Sequence, residues 1–387
     1  MTADMIVTYF DELRALRHDL HRHPELLFDL PRTSGIVAKE LERYGYKVTT
    51  GIAGTGVVGT LSNGTSRKSM GIRADMDALP IHETTNLAYA SRTPGQMHAC
   101  GHDGHTTMLL GAARYLAETR KFDGTIHLIF QPAEEDVGGA KRMIEEGLFE
   151  KFPCDAVFAL HNMPGEEAGQ VTVRPGPITA AVDIVRAVIR GVAGHGALPH
   201  SAIDPIVAAS ATVMALQSIV ARNVNPHDAA VITVGSFNAG SLATAIPEEA
   251  VLNIGVRTCT EEVRELMKKR IPQLIKAQAA SFGCEADVEY GYGYAYPPGV
   301  NSAAETALVR ELAIDMGQDP QKIDLRGPIM FAEDFAYMQK VVPSCYFGFG
   351  NGPSKSLHDP GYDFNDELLV KGPAFWAKLV EKYLAVR

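Results

Sequence analysis

The chain has 387 residues, of which 46% are hydrophobic and 21% charged, a composition typical of a globular protein and a length that favours two domains over one. Its formal net charge of −10 argues against nucleic acid and anionic membrane as partners, and no apolar run approaches the ~18 residues of a membrane span. The acidic N-terminal segment does not resemble a signal peptide and the five cysteines are scattered, so we expect a cytoplasmic protein without a disulfide framework.

Helix and strand patterns alternate over the first 180 residues. Periodic apolar positions predict helices at 4–22, 33–44, 106–119 and 138–146, and apolar runs predict strands at 57–61, 69–73, 125–130 and 156–160. This alternation predicts an α/β layer in which helices pack on the faces of a sheet.

A different pattern begins near residue 181 and ends near residue 292. It predicts a strand, a helix, two strands, a helix and a strand at 182–191, 205–221, 230–237, 250–258, 261–281 and 285–290. This order is typical of a compact α+β, ferredoxin-like unit. We therefore expect one domain formed by residues 1–180 and 293–387, with a second domain at 181–292 inserted in it.

Polar side chains follow three of the predicted strands in the first domain. Asp75 and Asp77 come after one strand, Glu134 and Glu135 after another, and His161 after a third. Ligands of open α/β sheets bind beyond the carboxyl ends of the strands. We therefore expect these side chains to share one edge of the sheet.

Two further segments add side chains that bind metals. The segment MHACGHDGH at residues 97–105 lies just before a predicted helix, and LHDPGYDFND near the C-terminus is rich in turn residues. Together with the strand ends they offer a thiolate, three imidazoles and a carboxylate, from Cys100, His102, His161, His358 and Glu135. This mixture of S, N and O ligands suits zinc and also accepts manganese, cobalt or nickel. It exceeds what one catalytic ion needs, so we expect two divalent ions ~3.5–4 Å apart.

The adjacent carboxylates of Glu134 and Glu135 repel each other unless one of them binds a cation. With Glu135 as a metal ligand, Glu134 can serve as general base, because a metal lowers the pKa of bound water to ~7. The alternative, a solvated acidic strand end, leaves the neighbouring cysteine and histidines unexplained. Asp77 either orients a ligating histidine through its ring N–H or caps a turn, and the pattern leaves both open.

The other histidines of this region have simpler explanations than metal binding. His18, His21 and His23 cluster where the first helix is expected to end. His98 and His105 flank the predicted ligands, and for them we expect supporting or structural roles.

Seven ordered motifs resemble the M20 metallopeptidase family, in its amidohydrolase subgroup with hippurate hydrolases and N-acyl-amino-acid amidohydrolases. They are RADMDALPI, MHACGHDGHT, FQPAEE, LHN, GHGALPH, AEDFAYM and LHDPGYDFND, and they extend over nearly the whole chain. The resemblance is much more specific for the family than for a substrate. It implies a dinuclear-metal exopeptidase-like catalytic domain, an inserted lid or dimerisation domain, and a homodimer built through that lid.

The resemblance also implies roles for individual residues. The metal ligands are Cys100, His102, Glu135, His161 and His358, with Cys100 in the bridging place that an aspartate holds in other branches of the family. Glu134 resembles the general base that later protonates the leaving amine. His195 resembles a lid histidine that reaches the partner subunit's active site and stabilises the oxyanion, whereas from the residues alone it is better explained as a turn residue between glycines.

Two lid positions bear on the substrate. Relatives commonly carry an asparagine in an NVIP-like segment that contacts substrate, and here Thr244 stands in its place in the sequence TAIP. A shorter side chain with one hydroxyl leaves room for a different group, so the substrate preference of relatives does not carry over. Arg257 either pairs with a substrate carboxylate or forms a structural ion pair.

The sequence thus predicts a metal-dependent amidohydrolase with two divalent ions per subunit that acts on small N-acyl amino acids such as hippurate. One alternative is a dipeptidase or an N-acetyl-diaminopimelate deacetylase of the same fold. Another is a non-catalytic binding protein on this scaffold, which the presence of Glu134 and of every ligand disfavours.

Overall fold

The computed structural model describes residues 2–386. The chain forms two compact units. The first consists of Met1–Ile178, Val300–Gly327 and Asp334–Arg387, and the second of Thr179–Gly299 and Pro328–Glu333. The second unit thus includes residues beyond the predicted insertion at 181–292. The catalytic and lid roles expected for the two domains stay predictions.

The helices of the described residues are α1 (Thr2–Val7), α2 (Phe10–Arg22), α3 (Pro31–Arg43), α4 (His102–Thr119), α5 (Gly139–Glu145), α6 (Leu148–Lys151), α7 (Pro205–Asn223), α8 (Glu261–Ser281), α9 (Ala303–Asp315), α10 (Pro320–Ile323), α11 (Ala336–Gln339) and α12 (Leu368–Tyr383). The strands are β1 (Lys47–Ile52), β2 (Gly56–Asn63), β3 (Ser69–Asp75), β4 (Gly124–Gln131), β5 (Ala156–Pro164), β6 (Val171–Thr172), β7 (Gly176–Thr179), β8 (Ala181–Arg190), β9 (Gly194–His195), β10 (Ala230–Ala239), β11 (Ala245–Ile246), β12 (Glu249–Thr258), β13 (Glu285–Tyr296), β14 (Gly299–Asn301) and β15 (Ser344–Gly352).

The main sheet of the first unit has the strand order β1-β2-β4-β3-β5-β15-β6 within the described residues. Its central strands β4, β3, β5 and β15 run parallel, whereas β1, β2 and β6 pair antiparallel at the two edges. Every residue of β3 and of β15 is buried, as expected for parallel strands covered on both faces. The carboxyl ends of the parallel strands therefore meet at one edge of the sheet, where the sequence places the site.

The core of the first unit is aromatic where α12 packs on β15. The single tryptophan of the chain, Trp376, is 1% exposed, and its ring centroid lies 5.4 Å from that of Phe347. Phe375 packs 5.2 Å from the same ring. Since α12 also packs against α4, this core supports the helix that begins at the candidate site.

The second unit has an antiparallel sheet of order β10-β12-β8-β13, with α7 and α8 packed against it. Alternate residues of β12 are buried, and Leu252, Ile254 and Val256 belong to the core shared with the helices. The predicted α/β fold with an inserted α+β unit is confirmed.

Further sequence expectations differ from the structure. The helix expected at 4–22 is divided into α1 and α2. Strand β1 was not predicted, because the sequence KVTTGI has mostly polar or exposed positions and forms a sheet edge. By length and composition, α7 would suffice to cross a membrane. Its most apolar 18 residues have a mean hydropathy of 1.4, and 33% of them are buried. The buried side chains of α7 pack in the unit's own core, so this is weak support for a membrane span.

Candidate metal and catalytic site

The predicted metal ligands lie together at the carboxyl edge of the parallel strands. Ligand atoms of Cys100, His102 and His161 lie within 4.8 Å of one another, as do those of Cys100, Glu135 and His358. Glu134 forms a third such group with His102 and Glu135. The structure thus brings together side chains that are up to 258 residues apart, and Cys100 belongs to two of the groups.

The segment that carries Cys100 and His102 turns directly into α4. Helix α4 begins at His102 rather than at Thr106, because Gly101 adopts the left-handed conformation (φ +91°) at the N-cap position and redirects the chain. A Cβ atom at Gly101 would approach the Tyr362 hydroxyl to 2.8 Å, and one at Gly104 would overlap the ring of Phe364. Both glycines therefore let the segment with the predicted ligands Cys100 and His102 pack closely against its neighbours.

His102 is oriented by Asp77. Its Nδ1 lies 2.9 Å from the Asp77 carbonyl oxygen and 3.4 Å from a carboxylate oxygen of the same residue. Its Nε2 is buried and has no hydrogen-bond partner among residues 2–386. The other carboxylate oxygen of Asp77 accepts a hydrogen bond from the Glu135 N–H at 3.1 Å. The arrangement matches the first of the two roles expected for Asp77, which stays a prediction.

His161 and Cys100 face each other, with His161 Nε2 3.3 Å from Cys100 Sγ. Nδ1 of His161 lies 2.9 Å from the Asn162 carbonyl oxygen, so this nitrogen carries the proton and Nε2 presents a lone pair. Burial, reinforced by the charge of His105, holds the pKa of His161 well below its usual range. The imidazole is therefore neutral, as a metal ligand must be.

The pKa values of Cys100 and His102 reflect the surrounding negative charge. Burial, then the carboxylates of Glu135, Glu134 and Asp75, raise the pKa of the Cys100 thiol well above its usual value. Burial opposes charge on His102, but Asp75, Asp77 and Glu135 outweigh it and raise the pKa of His102 to about 10. A thiolate and a neutral imidazole at these positions both require a cation between them.

Glu135 and His358 form the solvent side of the cluster. Glu135 Oε2 lies 3.4 Å from His358 Nε2, and its Oε1 is buried without a hydrogen-bond partner within the described chain. The His358 side chain is 51% exposed. Its backbone has a positive φ of +64°, as does Ala133 at +55° beside Glu134. Such conformations cost ~1–3 kcal/mol in non-glycine residues and concentrate at functional sites.

The donor set fits a divalent metal centre. His102 Nε2 and Glu135 Oε1 are buried ligand atoms with no hydrogen-bond partner in the described part of the chain, and they lie 3.8 Å from each other. Such atoms are costly to bury unless a ligand satisfies them. A cation between them would meet this need and would offset the carboxylates around Cys100.

Glu134 is 7% exposed and lies beside the ligands. One of its carboxylate oxygens, Oε1, accepts a long hydrogen bond of 3.4 Å from the Asp334 N–H. Its neighbour Glu135 points toward His102 and His358. The two adjacent glutamates thus have different surroundings, as expected for a base beside a ligand.

The other histidines of the region face different partners. Both ring nitrogens of His105 are engaged, with Asp75 at 2.6 Å and with the Asn162 N–H at 3.1 Å. His98 is buried, burial lowers its pKa to about 4, and neither of its ring nitrogens has a hydrogen-bond partner among the described residues. His18, His21 and His23 lie 2.7 to 2.9 Å from acceptors on Asp366, Asp103 and Asp19.

Sequence reasoning missed a buried polar network behind the ligands. Arg73 lies between Asp75 and Asp334, and Gln131 bonds both Arg73 and Asp334. An arginine at the end of one predicted strand and a glutamine directly after another were the available indication, together with the acidic pair in AEDFAYM.

The predicted lid residues all lie in the second unit. His195 in β9 pairs with Ala245 in β11, and the Thr244 carbonyl accepts a hydrogen bond of 2.8 Å from the Gly196 N–H. Thr244 therefore holds the His195 loop through its backbone, a contact that does not depend on its side chain. His195 is exposed, and Arg257 lies half-buried on β12 opposite Val231 of β10.

The sequence relatives establish the family. Residues 71–382 match Peptidase family M20/M25/M40. The chain belongs to this family. It is 42% identical over 373 residues to the hippurate hydrolase of Campylobacter jejuni, an alignment covering 96% of this chain and 97% of that protein. It is 39% identical over 374 residues to the N-acetyl-L-cysteine deacetylase of Bacillus subtilis, covering 96% and 88%.

The structure also matches a solved member of the M20 family. The crystal structure of the Bacillus subtilis YXEP protein, a dinuclear metal-binding peptidase of that family, superposes with a TM-score of 0.84 at 30% identity, covering 97% of this chain and 99% of that one. The resemblance stated from the seven motifs is confirmed. The roles of the individual site residues stay predictions.

Proposed function

We propose that this M20 protein hydrolyses the amide bond of small N-acyl amino acids in a metal-dependent reaction, releasing a carboxylic acid and a free amino acid. The observation that carries the proposal is the convergence of Cys100, His102, Glu135, His161 and His358 on one another, with Glu134 beside them. Hippurate is the lead substrate, in view of the likeness to a hippurate hydrolase. An acetyl amino acid is the second candidate, in view of the likeness to a deacetylase.

Two divalent ions are proposed to occupy the ligand cluster. When bound, they supply an activated water at neutral pH and polarise the scissile carbonyl. Cys100 would be among the residues that hold them, since it belongs to two of the ligand groups. Zinc, manganese, cobalt and nickel all suit this donor set.

Glu134 is proposed to move the protons. Its carboxylate takes the proton of the attacking water and then delivers it to the leaving nitrogen. Its burial supports this role, because a low-dielectric environment strengthens the interaction of the carboxylate with the developing charge. The Asp334 N–H donates to one of the two Glu134 carboxylate oxygens at 3.4 Å.

The second unit is proposed to act as a lid that completes the active site of a partner subunit. In this proposal His195 stabilises the oxyanion and Arg257 pairs with the substrate carboxylate. Thr244 stands where relatives carry an asparagine, so it leaves more room beside the substrate. The exposure of His195 in its own chain is consistent with a role completed by another subunit.

The partner proposed for the second unit is another copy of this chain. Met214 is 74% and Val207 is 50% exposed on α7, and Val231 is 42% exposed on the neighbouring edge strand β10. Helix α7 buries only 33% of its most apolar stretch, so it leaves an apolar surface that a homodimer would cover. The free thiols of the five cysteines favour the cytoplasm as the location.

The experiment is a metal add-back assay. The purified protein is stripped of metal, zinc, manganese, cobalt or nickel is restored separately, and amine release is followed from hippurate, an N-acetyl amino acid, N-acetyl-diaminopimelate and a dipeptide. We expect metal-dependent release from hippurate or the N-acetyl amino acid. Release from the dipeptide or N-acetyl-diaminopimelate alone would replace the proposed substrate class, and no release from any substrate with any metal would overturn the proposal.

Glu134→Gln tests the base. Glutamine has nearly the same shape but cannot accept a proton, so we expect turnover to fall by ~10²–10⁴-fold while metal content stays unchanged. Near wild-type turnover in a variant with full metal content would refute the assignment of Glu134.

A further inference from the structure

A buried arginine lies behind the ligand cluster, between two aspartates. Arg73 is 1% exposed, and its guanidinium lies 2.6 Å from Asp75 and 3.0 Å from Asp334. Both carboxylate side chains are fully buried. Buried ion pairs of this kind stabilise a fold little compared with apolar side chains of similar volume, so stability alone is a weak explanation for them.

The carboxylate of Asp334 is held from several directions. It accepts hydrogen bonds from Arg73, from Gln131 Nε2 at 2.9 Å to both oxygens, and from the Ala140 N–H at 2.8 Å. The Gln131 side chain is itself fixed, because its Oε1 accepts a hydrogen bond of 2.8 Å from Arg73 Nε. With its side chain fixed in this way, Asp334 has little freedom to rotate its backbone.

The backbone of Asp334 faces Glu134. Its N–H donates to Glu134 Oε1 at 3.4 Å, the bond already described beside the ligands. The Ala140 N–H that binds the Asp334 carboxylate lies at the start of α5, the helix that follows the two glutamates along the chain. The buried side chain of Asp334 therefore has two connections to Glu134. It binds the start of α5, just after the segment that carries Glu134, and it fixes the residue whose N–H donates to Glu134.

The same arginine supports the ligand side through Asp75. The other oxygen of Asp75 lies 2.6 Å from His105 Nδ1, and His105 Nε2 accepts the Asn162 N–H at 3.1 Å. Asn162 follows the predicted ligand His161 on β5. Arg73 thus joins the segment that holds Glu134 to a strand that holds a ligand, through hydrogen bonds that are all buried.

We propose that Asp334 is a positioning residue for Glu134, and that Arg73 and Gln131 fix Asp334 in the orientation that Glu134 requires. This inference rests on the proposed function, because it assigns Glu134 as the base. Asp334 touches neither substrate nor metal in this proposal. It acts through the direction of one backbone N–H and through the position of the segment that carries Glu134.

The test is Asp334→Asn, which keeps the size of the side chain but replaces one acceptor oxygen with an amide. That amide would oppose the donors of Gln131 or Ala140. We expect kcat to fall by about 10- to 100-fold, as for residues that orient catalytic groups, with KM changed by less than about threefold and metal content unchanged. Of the hydrogen bonds to the Asp334 carboxylate, Gln131→Met removes only those from Gln131, so it should show a smaller loss of kcat.

The matched control is Asp183→Asn in the second unit. Asp183 is also a buried aspartate, and it accepts two hydrogen bonds of 2.8 Å from Arg264. This variant should lose stability to a similar extent but keep wild-type kcat. If Asp334→Asn does not fold, the comparison of Gln131→Met with Asp183→Asn still decides the proposal.

A double-mutant cycle separates positioning from general damage. If Asp334 acts through Glu134, Asp334→Asn should cause no further loss of residual activity in the Glu134→Gln protein. An equal loss in both backgrounds, a loss that follows metal content, or unchanged kcat in Asp334→Asn and Gln131→Met would each overturn the proposal. Failure of the proposed function would be distinguishable, because the wild-type protein would then release no amine with any metal.

Discussion

A buried histidine in α2 should make the stability of the first unit depend on pH. His21 Nδ1 lies 2.9 Å from Asp103, and His21 Nε2 lies 3.4 Å from Glu83. Burial opposes the charged form, and so does the charge of Arg17, but the attraction of Asp103 and Glu83 outweighs both and raises the pKa of His21 to about 9. The rings of Tyr89 and His98 also pack near His21.

The sign and size of the effect follow from the pKa. In the unfolded chain the pKa of histidine is ~6.5, so below that pH His21 is protonated in both states and its contribution is fully present. As the pH rises through the folded-state pKa of about 9, the charge is lost and the contribution with it. A difference of roughly 2.5 pKa units corresponds to about 3 kcal/mol of unfolding free energy.

The assay is urea unfolding of the metal-free protein at several pH values from ~6 to ~9.5, with His21→Gln beside the wild type. Fluorescence of Trp376 follows the unit that contains His21, since it is the single tryptophan in the chain. The wild type should lose about 3 kcal/mol more than the variant across this range. Other groups that titrate there are present in both proteins and cancel in the difference.

The control is His127→Gln. His127 is a buried histidine of the same unit, and burial lowers its pKa to about 4. It is therefore neutral in both states above pH ~7, and its replacement should not change the pH dependence at higher pH. Parallel stability curves for the wild type and His21→Gln would show that the His21 charge does not stabilise the fold and would refute the reasoning.

Three further perturbations test other parts of the molecule. Gly104→Ala would place a methyl group against the Phe364 ring, so we expect the unfolding free energy in urea to fall by about 1–3 kcal/mol and metal binding to weaken. The control is Gly35→Ala, a helical position with open space around it, which should raise the unfolding free energy by about 0.4–1 kcal/mol. Cys100→Asp should abolish the sulfur-to-metal charge-transfer absorption of the cobalt-loaded protein, and an unchanged spectrum would show that Cys100 is not a ligand. Met214→Lys on α7 should convert the expected dimer to a monomer in sedimentation velocity, and a dimer of unchanged stability would place the interface elsewhere.

The sequence located the candidate site because parallel strands end at a common edge. The strand ends before Asp75, Glu134 and His161 were predicted from apolar runs, and the rule for open sheets then placed the polar residues together. The segment around Cys100 was harder, because glycines and polar residues at the start of α4 do not show helical periodicity. Gly101 and Gly104 instead allow Tyr362 and Phe364 to pack closely against this segment, and no local pattern reports such a contact.

The buried network behind the site was beyond sequence reasoning for a different reason. Arg73 and Asp334 are 261 residues apart, so their pairing depends on the order of strands in the sheet rather than on local periodicity. The strand order was not predicted either. In the sheet β4 lies between β2 and β3, although it follows both of them along the chain. Without that order, an arginine inside a strand and an aspartate in AEDFAYM have no visible relation.

The two sides of the site carry their positive charge in different forms. Behind the strand ends, Arg73 compensates Asp75 and Asp334, and a guanidinium stays charged at every pH at which the protein folds. Around Cys100, burial and the nearby carboxylates raise the thiol pKa, so a thiolate at this position would need a bound cation to offset its charge. The ring of His102 is oriented by the carbonyl oxygen of Asp77, a backbone acceptor. The charge of Arg73 and the backbone acceptor of His102 thus hold both sides of the predicted site through the protein's own groups, which is the condition for the predicted base and ligands to be held in position at low cost.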